Sequence, residues 1–321
     1  MQRSLKDYLV ISLKGLAMGA ADVVPGVSGG TIAFISGIYE ELIETINTLN
    51  FSFFTVWKKE GFLNAWRTYN LSFLSTLFLG IAISILSLAK IIKWLLHNEP
   101  LLLWAFFFGL VLASIIYIGK QITQWRPKVF IGILIAAVIS YLITIAEPIA
   151  SPENNIYLLF CGFIAIIAMI LPGVSGAFIL LILGAYQTFI DILNQLREGL
   201  ISMDFDLLWQ AIYKIAIIAI GAITGLKLFS KVLNWMFKHH KNTTLAILTG
   251  FMIGSLNKLW PWKKVVSWRI NSEGLKVPYI EKSILPNNFD GDPKIIWVLL
   301  FIAIGFLLIL ILERLAVKKA E

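Results

Sequence analysis

The scarcities in this chain exclude several protein classes. Its 321 residues include one cysteine, Cys161, so no intrachain disulfide can form. The three histidines, His97, His239 and His240, lie at the edges of apolar runs, and no grouping has the ligand spacing of a metal site. Charge is also sparse: 14% of residues are Asp, Glu, Lys or Arg, where a soluble domain carries roughly a quarter. Against this, 58% of residues are hydrophobic and the mean hydropathy is +0.82, which points to an integral membrane protein. The net charge of +8 fits cytoplasmic loops better than a nucleic-acid surface, and no nucleic-acid partner is expected. Arg3, Lys6 and the apolar run from Tyr8 to Leu13 loosely resemble a signal peptide, but Lys14 interrupts that run, so cleavage is not expected.

Within this apolar background one stretch occurs twice. Pro25-Gly26-Val27-Ser28-Gly29-Gly30-Thr31 returns as Pro172-Gly173-Val174-Ser175-Gly176-Ala177-Phe178. The echo continues: Ile32, Gly37, Tyr39 and Ile43 match Ile179, Gly184, Tyr186 and Ile190, and Glu44 matches Asp191. Gly80, Lys90, Trp94, Gly109 and Ser114 match Gly221, Lys231, Trp235, Gly250 and Ser255 at one constant offset. Pro127, Lys128 and Glu147 match Pro293, Lys294 and Glu313 at a larger one, and the jump marks an insertion within about 260–292.

The expected architecture is an all-α polytopic membrane protein made of two inverted-topology repeats, 1–147 and 148–321. The first holds a broken or re-entrant motif hairpin (5–48), an aromatic and basic interfacial segment (49–70), and spans at about 71–92, 101–118 and 129–146. The second holds a motif hairpin (156–193) and spans at about 209–230, 243–259 and 295–312, with the polar insert forming a small cap or hairpin. Residues 30–48 and 177–193 each read as one helical piece leaving its motif. If each hairpin begins and ends on one side, Lys58, Lys59, Arg67, Lys120, Arg126, Lys128, Lys238 and Lys241 share the side of both termini. The positive-inside rule then makes that side cytoplasmic.

Broken, hydroxyl-bearing backbone at membrane depth is tolerated where it lines a cavity or is buried in protein. Pro25 and Pro172 end the incoming helices, and the glycines allow tight turns. Free amides at the following helix starts favour an anion. Ser28 and Ser175 can donate to that anion or simply cap their helices. Asp22 is a candidate coupling group, with backbone bracing as its alternative. Lys14 and Lys227 can offer positive charge to a phosphate or snorkel to an interface.

Lys14 through Thr31, followed by Gly37-Ile38-Tyr39-Glu40, resembles the opening signature of the PopT-type polyprenyl-phosphate transporters, long catalogued as a bacterial membrane domain of unknown function. Leu171 through Gly176 with Gly184 and Tyr186, and Gly250 through Trp262 (GFMIGSLNKLWPW), resemble its second and third signatures. The resemblance implies a multi-pass protein of the bacterial cytoplasmic membrane that returns undecaprenyl phosphate from the outer to the inner leaflet. It implies substrate contacts from Gly26, Ser28, Gly29, Gly30, Thr31, Gly173, Ser175 and Gly176. From the residues themselves, Lys14 joins this set for its charge, and Asp22 is expected to couple transport to a proton or sodium gradient. No cofactor is expected beyond such an ion, and the oligomeric state is open. The second motif departs from the first by carrying Ala177-Phe178 in place of Gly30-Thr31, so the two half-sites are unequal. Two other readings are a membrane phosphatase acting on a polyprenyl pyrophosphate and a small-anion carrier. The phosphatase would need a cationic or basic partner for Ser28, and neither motif contains His or Arg.

Overall fold

A computed structural model describes residues 3–22, 28–148, 154–270 and 276–317. Helix α1 (Leu5–Asp22) leads to the first motif, and α2 (Gly29–Ile35) and α3 (Tyr39–Thr48) leave it. Short helices α4 (Ser52–Glu60) and α5 (Phe62–Thr68) precede α6 (Leu71–Ser87), α7 (Ala89–Asn98), α8 (Pro100–Gln121) and α9 (Pro127–Ile145). The second motif lies between α10 (Asn155–Ile170) and α11 (Gly176–Ile182), followed by α12 (Tyr186–Ser202), α13 (Phe205–Leu259) and α14 (Ile295–Val317). Among the described residues, α8, α9 and α13 are long and apolar enough to cross a bilayer as single helices. α13 runs for 55 residues and turns at His240, where φ is −139° and ψ 45°, so the two spans expected at 209–230 and 243–259 are joined by a kink.

One expectation needs correction. Residues 30–48 and 177–193 are not single helical pieces: each breaks a second time, at Gly37 and Gly184, with φ of 73° and 68°. In the first, the Gly37 amide donates to Phe34 O and the Ile38 amide to Ala33 O; in the second, Gly184 donates to Leu181 O and Ala185 to Leu180 O. Paired bonds of this kind around a left-handed glycine terminate a helix, and α12 consequently leaves α11 at 110°. The polar insert, expected to form a small cap or hairpin, contains an antiparallel hairpin, β1 (Lys263–Ile270) with β2 (Lys276–Ser283), in a fold that is otherwise mainly helical.

Residues that match in sequence occupy matching contacts. α1 packs along α6, and α10 along the first arm of α13. Gly15 lies against the Leu77 carbonyl and Gly80 against that of Ser12, while Gly162 lies against Ile218 and Gly221 against Leu159. Small residues let helix backbones approach this closely in lipid, where hydrophobic driving force between helices is absent. The remaining long helices cross over: α14 packs on α8, and α9 packs on the second arm of α13. Phe73, Leu77, Val111, Leu245, Leu248 and Met252 lie in the buried centre, and the motifs sit beside it. Outside, the segment from Phe51 through α4 and α5 exposes Phe51, Phe54, Trp57 and Phe62 beside Lys58, Lys59 and Arg67, the composition of an interfacial segment.

Candidate functional site

The two motifs meet face to face. α10 ends at Ile170 and leaves its final carbonyls without intrahelical donors, and the first motif supplies those donors. Ser28 Oγ donates to Met169 O at 3.1 Å, and the Tyr39 hydroxyl donates to Ile170 O at 3.1 Å. Thr31 Oγ1 accepts from the Gly173 amide at 2.8 Å. Gly30 lies against the same segment, where an added Cβ would come within 2.6 Å of Ile170 O and 2.8 Å of Met169 O. Ser28, Thr31 and Tyr39 are all buried, and the Tyr39 bond is buried at both ends.

The helix starts are already partnered. Asp22 Oδ1 accepts from the Gly29 amide at 2.6 Å, bridging the end of α1 to the start of α2. Ser28 Oγ accepts from the Gly30 amide at 3.1 Å, capping α2. Ser175 caps α11 in the same manner, but its bond from the Phe178 amide is long, 3.5 Å. Gly173 holds φ at 85° and lies against Ser255 Oγ and Phe251 O; Gly176 abuts Met169 and the Ala165 carbonyl. Pro172 is buried in the turn just before Gly173. Pro25 and Gly26 lie outside the described residues.

Lys14 and Lys227 both serve carbonyls. Lys14 Nζ donates to Ser36 O and Lys227 Nζ to Ile46 O, both at 2.6 Å. Ser36 is at the end of α2 opposite to Ser28, so Lys14 is not brought together with the motif serines in this conformation. The charges of these lysines fall instead at the carbonyl ends of α2 and α3, where a helix dipole favours cations. On the surface of α3, Glu40 pairs with Lys241 at 2.8 Å and Glu44 with Lys238 at 3.5 Å, tying α3 to the kink of α13.

The motif asymmetry has a structural counterpart. Thr31 fastens the second motif, whereas Phe178, its counterpart, packs under Lys258, whose Nζ lies 4.4 Å from the ring centroid. A narrow cleft here is lined by Ser140, Thr144, Gly173, Ser175, Phe178 and Lys258. The roles of Tyr39 and Lys258 were missed from sequence, although Tyr39 recurs as Tyr186 and Lys258 lies inside GFMIGSLNKLWPW. Among the described residues no cluster of His, Cys, Asp and Glu could hold a metal.

The sequence has recognisable relatives among known proteins. Residues 18–277 match the undecaprenyl phosphate translocase-like family. A polyprenyl-phosphate transporter of Vibrio cholerae is 44% identical over 284 residues, 88% of each chain. A polyprenyl-phosphate transporter of Staphylococcus aureus is 29% identical over 273 residues, 81% of this chain and 89% of its own. No solved structure matches the chain significantly.

Proposed function

The chain belongs to the undecaprenyl phosphate translocase-like family, and we propose that it carries undecaprenyl phosphate from the outer to the inner leaflet of the bacterial cytoplasmic membrane. The observation that carries this reading is the seam between the motifs, in which Ser28, Thr31 and Tyr39 of one half hold Met169, Gly173 and Ile170 of the other. Moving a phosphate unaided through hydrocarbon is prohibitive, with an idealised cost on the order of tens of kcal/mol for an isolated charge. A polar seam at the meeting point of two halves offers such a headgroup hydroxyl and amide donors, while the isoprenoid chain remains in lipid.

In the proposed cycle the halves are inverted-topology repeats with re-entrant motif hairpins and both termini cytoplasmic. They rock about the seam to expose it alternately. The seam bonds are single hydroxyl contacts, each worth roughly 1 kcal/mol net, and can be exchanged for phosphate oxygens. Opening releases the Ser28 and Thr31 hydroxyls and the Gly173 amide to the headgroup, with Gly26, Gly29, Gly30, Ser175 and Gly176 contributing backbone. Asp22 holds the Gly29 amide in the closed state, so its carboxylate competes with phosphate for the same donor. A proton or sodium ion that neutralises Asp22 yields that amide to the substrate, which couples the gradient to loading. Lys14 steadies the end of α2 through Ser36.

The reading is tested by reconstituting the protein in liposomes and following the accessibility of labelled undecaprenyl phosphate in each leaflet. Accelerated exchange, biased by a proton or sodium gradient, is expected. Exchange at the protein-free rate under both gradients would falsify it.

A further inference from the structure

The hairpin carries a cluster that the motif seam does not use. Lys263 on β1 and Lys258 at the end of α13 each lie 3.9 Å from one carboxylate oxygen, Oε2 of Glu281 on β2. The side chains are only 7%, 15% and 21% exposed respectively for Lys263, Lys258 and Glu281. Lys263 Nζ is buried without a hydrogen bond among the described residues, and it stands 3.3 Å from the centroid of the Trp104 ring. The neighbouring ion pair, Lys294 with Glu99 at 2.7 Å, is self-contained. Two buried ammonium groups therefore share one carboxylate at a distance too long for a hydrogen bond. Burying cationic charge without a matching anion is costly, and a carboxylate supplies less charge than a phosphate monoester, which carries about −1.5 to −2 at neutral pH.

The position of the cluster matters as much as its charge. Lys258 also lines the cleft floored by Gly173 and Ser175 of the second motif, so the cluster adjoins the seam. Beside the cleft, the Asn257 amide donates to Thr144 Oγ1 at 2.7 Å, and Ser283 Oγ donates to the Asn257 carbonyl. On the far side of Asn257 runs an apolar groove of about 470 Å³, walled by Phe108, Trp260, Ile284 and Leu285. A headgroup between the lysines would thus have an apolar path at hand for its first isoprene units.

We infer that Lys258 and Lys263 form a docking site for the phosphate monoester of an isoprenoid lipid, with the Glu281 carboxylate occupying the headgroup position until the ligand displaces it. This rests on the transport reading above and places the first headgroup contact at the hairpin end of the second motif. Phe178 supports Lys258 over the closed cleft, which gives the Ala177-Phe178 departure from the first motif a role. Lys263 is held near the point of proton loss by burial, which pushes its pKa down to about 7, and an arriving dianion would restore its proton.

The test is equilibrium binding of labelled farnesyl phosphate and of inorganic phosphate to the purified full-length chain in nanodiscs. Farnesyl phosphate is expected to bind at least tenfold more tightly than inorganic phosphate; equal affinities would overturn the lipid as ligand. Lys258→Gln and Lys263→Gln should each weaken farnesyl phosphate binding about tenfold, with Lys258→Arg close to the parent protein. Glu281→Gln should tighten it several-fold, because the competing anion is gone, whereas a merely structural carboxylate would give weaker binding. Unchanged affinity in both lysine-to-glutamine variants, or no gain in Glu281→Gln, overturns the proposal; if the lysine variants do not fold, Glu281→Gln decides alone. Lipid exchange in liposomes separates the two readings. Exchange with lysine-independent binding sinks only the docking site, and absence of exchange sinks the transport reading whatever the binding shows.

Discussion

Thr31 Oγ1 accepts a hydrogen bond from the Gly173 amide at 2.8 Å, so a residue in the first turn of α2 fastens the turn of the other motif. Replacing the hydroxyl removes the acceptor that this backbone donor finds among the described residues. Thr31→Val should destabilise the protein by about 1–3 kcal/mol, the cost of an unsatisfied buried group, and lower the rate of lipid exchange. Thr31→Ser keeps the oxygen and should retain most of both. Thermal melting in detergent and liposome exchange measure the two effects; a Val variant as stable and active as the parent would dismiss the contact.

Gly30 tests the closeness of the motifs. A methyl group there would come within 2.6 Å of Ile170 O and 2.8 Å of Met169 O, both backbone atoms that cannot simply rotate away. Gly119, on the exposed end of α8, has no atom within 4 Å of the same added carbon. Gly30→Ala should therefore abolish exchange or cut it at least tenfold, while Gly119→Ala leaves it within about twofold. Equal activity of the two variants would show that the seam tolerates separation.

Asp22→Asn separates capping from charge. The amide oxygen can still accept from the Gly29 N–H, so the junction of α1 and α2 should survive. What is lost is the ionisable anion, and lipid exchange should persist but respond no longer to a proton or sodium gradient. A normal gradient response in the Asp22→Asn variant would remove Asp22 from the coupling step.

Lys263 predicts a pH dependence outside the membrane segments. Burial lowers its pKa from 10.5 to about 7; Glu281 on β2 opposes the shift and Lys258 on α13 adds to it. The Trp104 ring, presented by α8, also favours the charged form. Between about pH 7 and 10.5 the unfolded chain holds this proton and the folded hairpin releases it, so stability rises with pH across the window. It is complete above 10.5 and lost as pH falls towards 7, by at most about 5 kcal/mol at 1.36 kcal/mol per pKa unit. Melting curves from pH 7 to 10 should show this slope, and Lys263→Met should flatten it and raise the midpoint at pH 7. Farnesyl phosphate binding should run the opposite way, weakening as pH rises.

Much of the helical layout was legible because lipid imposes long apolar runs, and Pro-Gly-rich stretches such as Leu171–Ser175 interrupt them visibly. The breaks at Gly37 and Gly184 were hidden because apolar residues continue on both sides, and only the positive φ distinguishes these glycines from ones that pack helices. The helical link through His240 was hidden for the opposite reason: Lys238, His239, His240 and Lys241 read as a loop although the backbone stays helical on either side of one residue. Partners across the seam could not be read at all. Thr31 and Gly173 stand far apart in the chain, and neither residue type announces the other. Lys14 was legible as an intramembrane cation, but its direction, towards Ser36 rather than Ser28, depends on the second break.

The crossing-over of the long helices has a consequence for how the chain can be divided. α9 precedes the second motif in the chain yet lies along the second arm of α13, and α14 lies along α8. A polypeptide severed between α9 and α10 would yield two fragments, each with an apolar stripe shaped for a helix carried by the other. Made singly, neither fragment would have a sheath for that stripe; made in the same cell, each would supply what the other lacks.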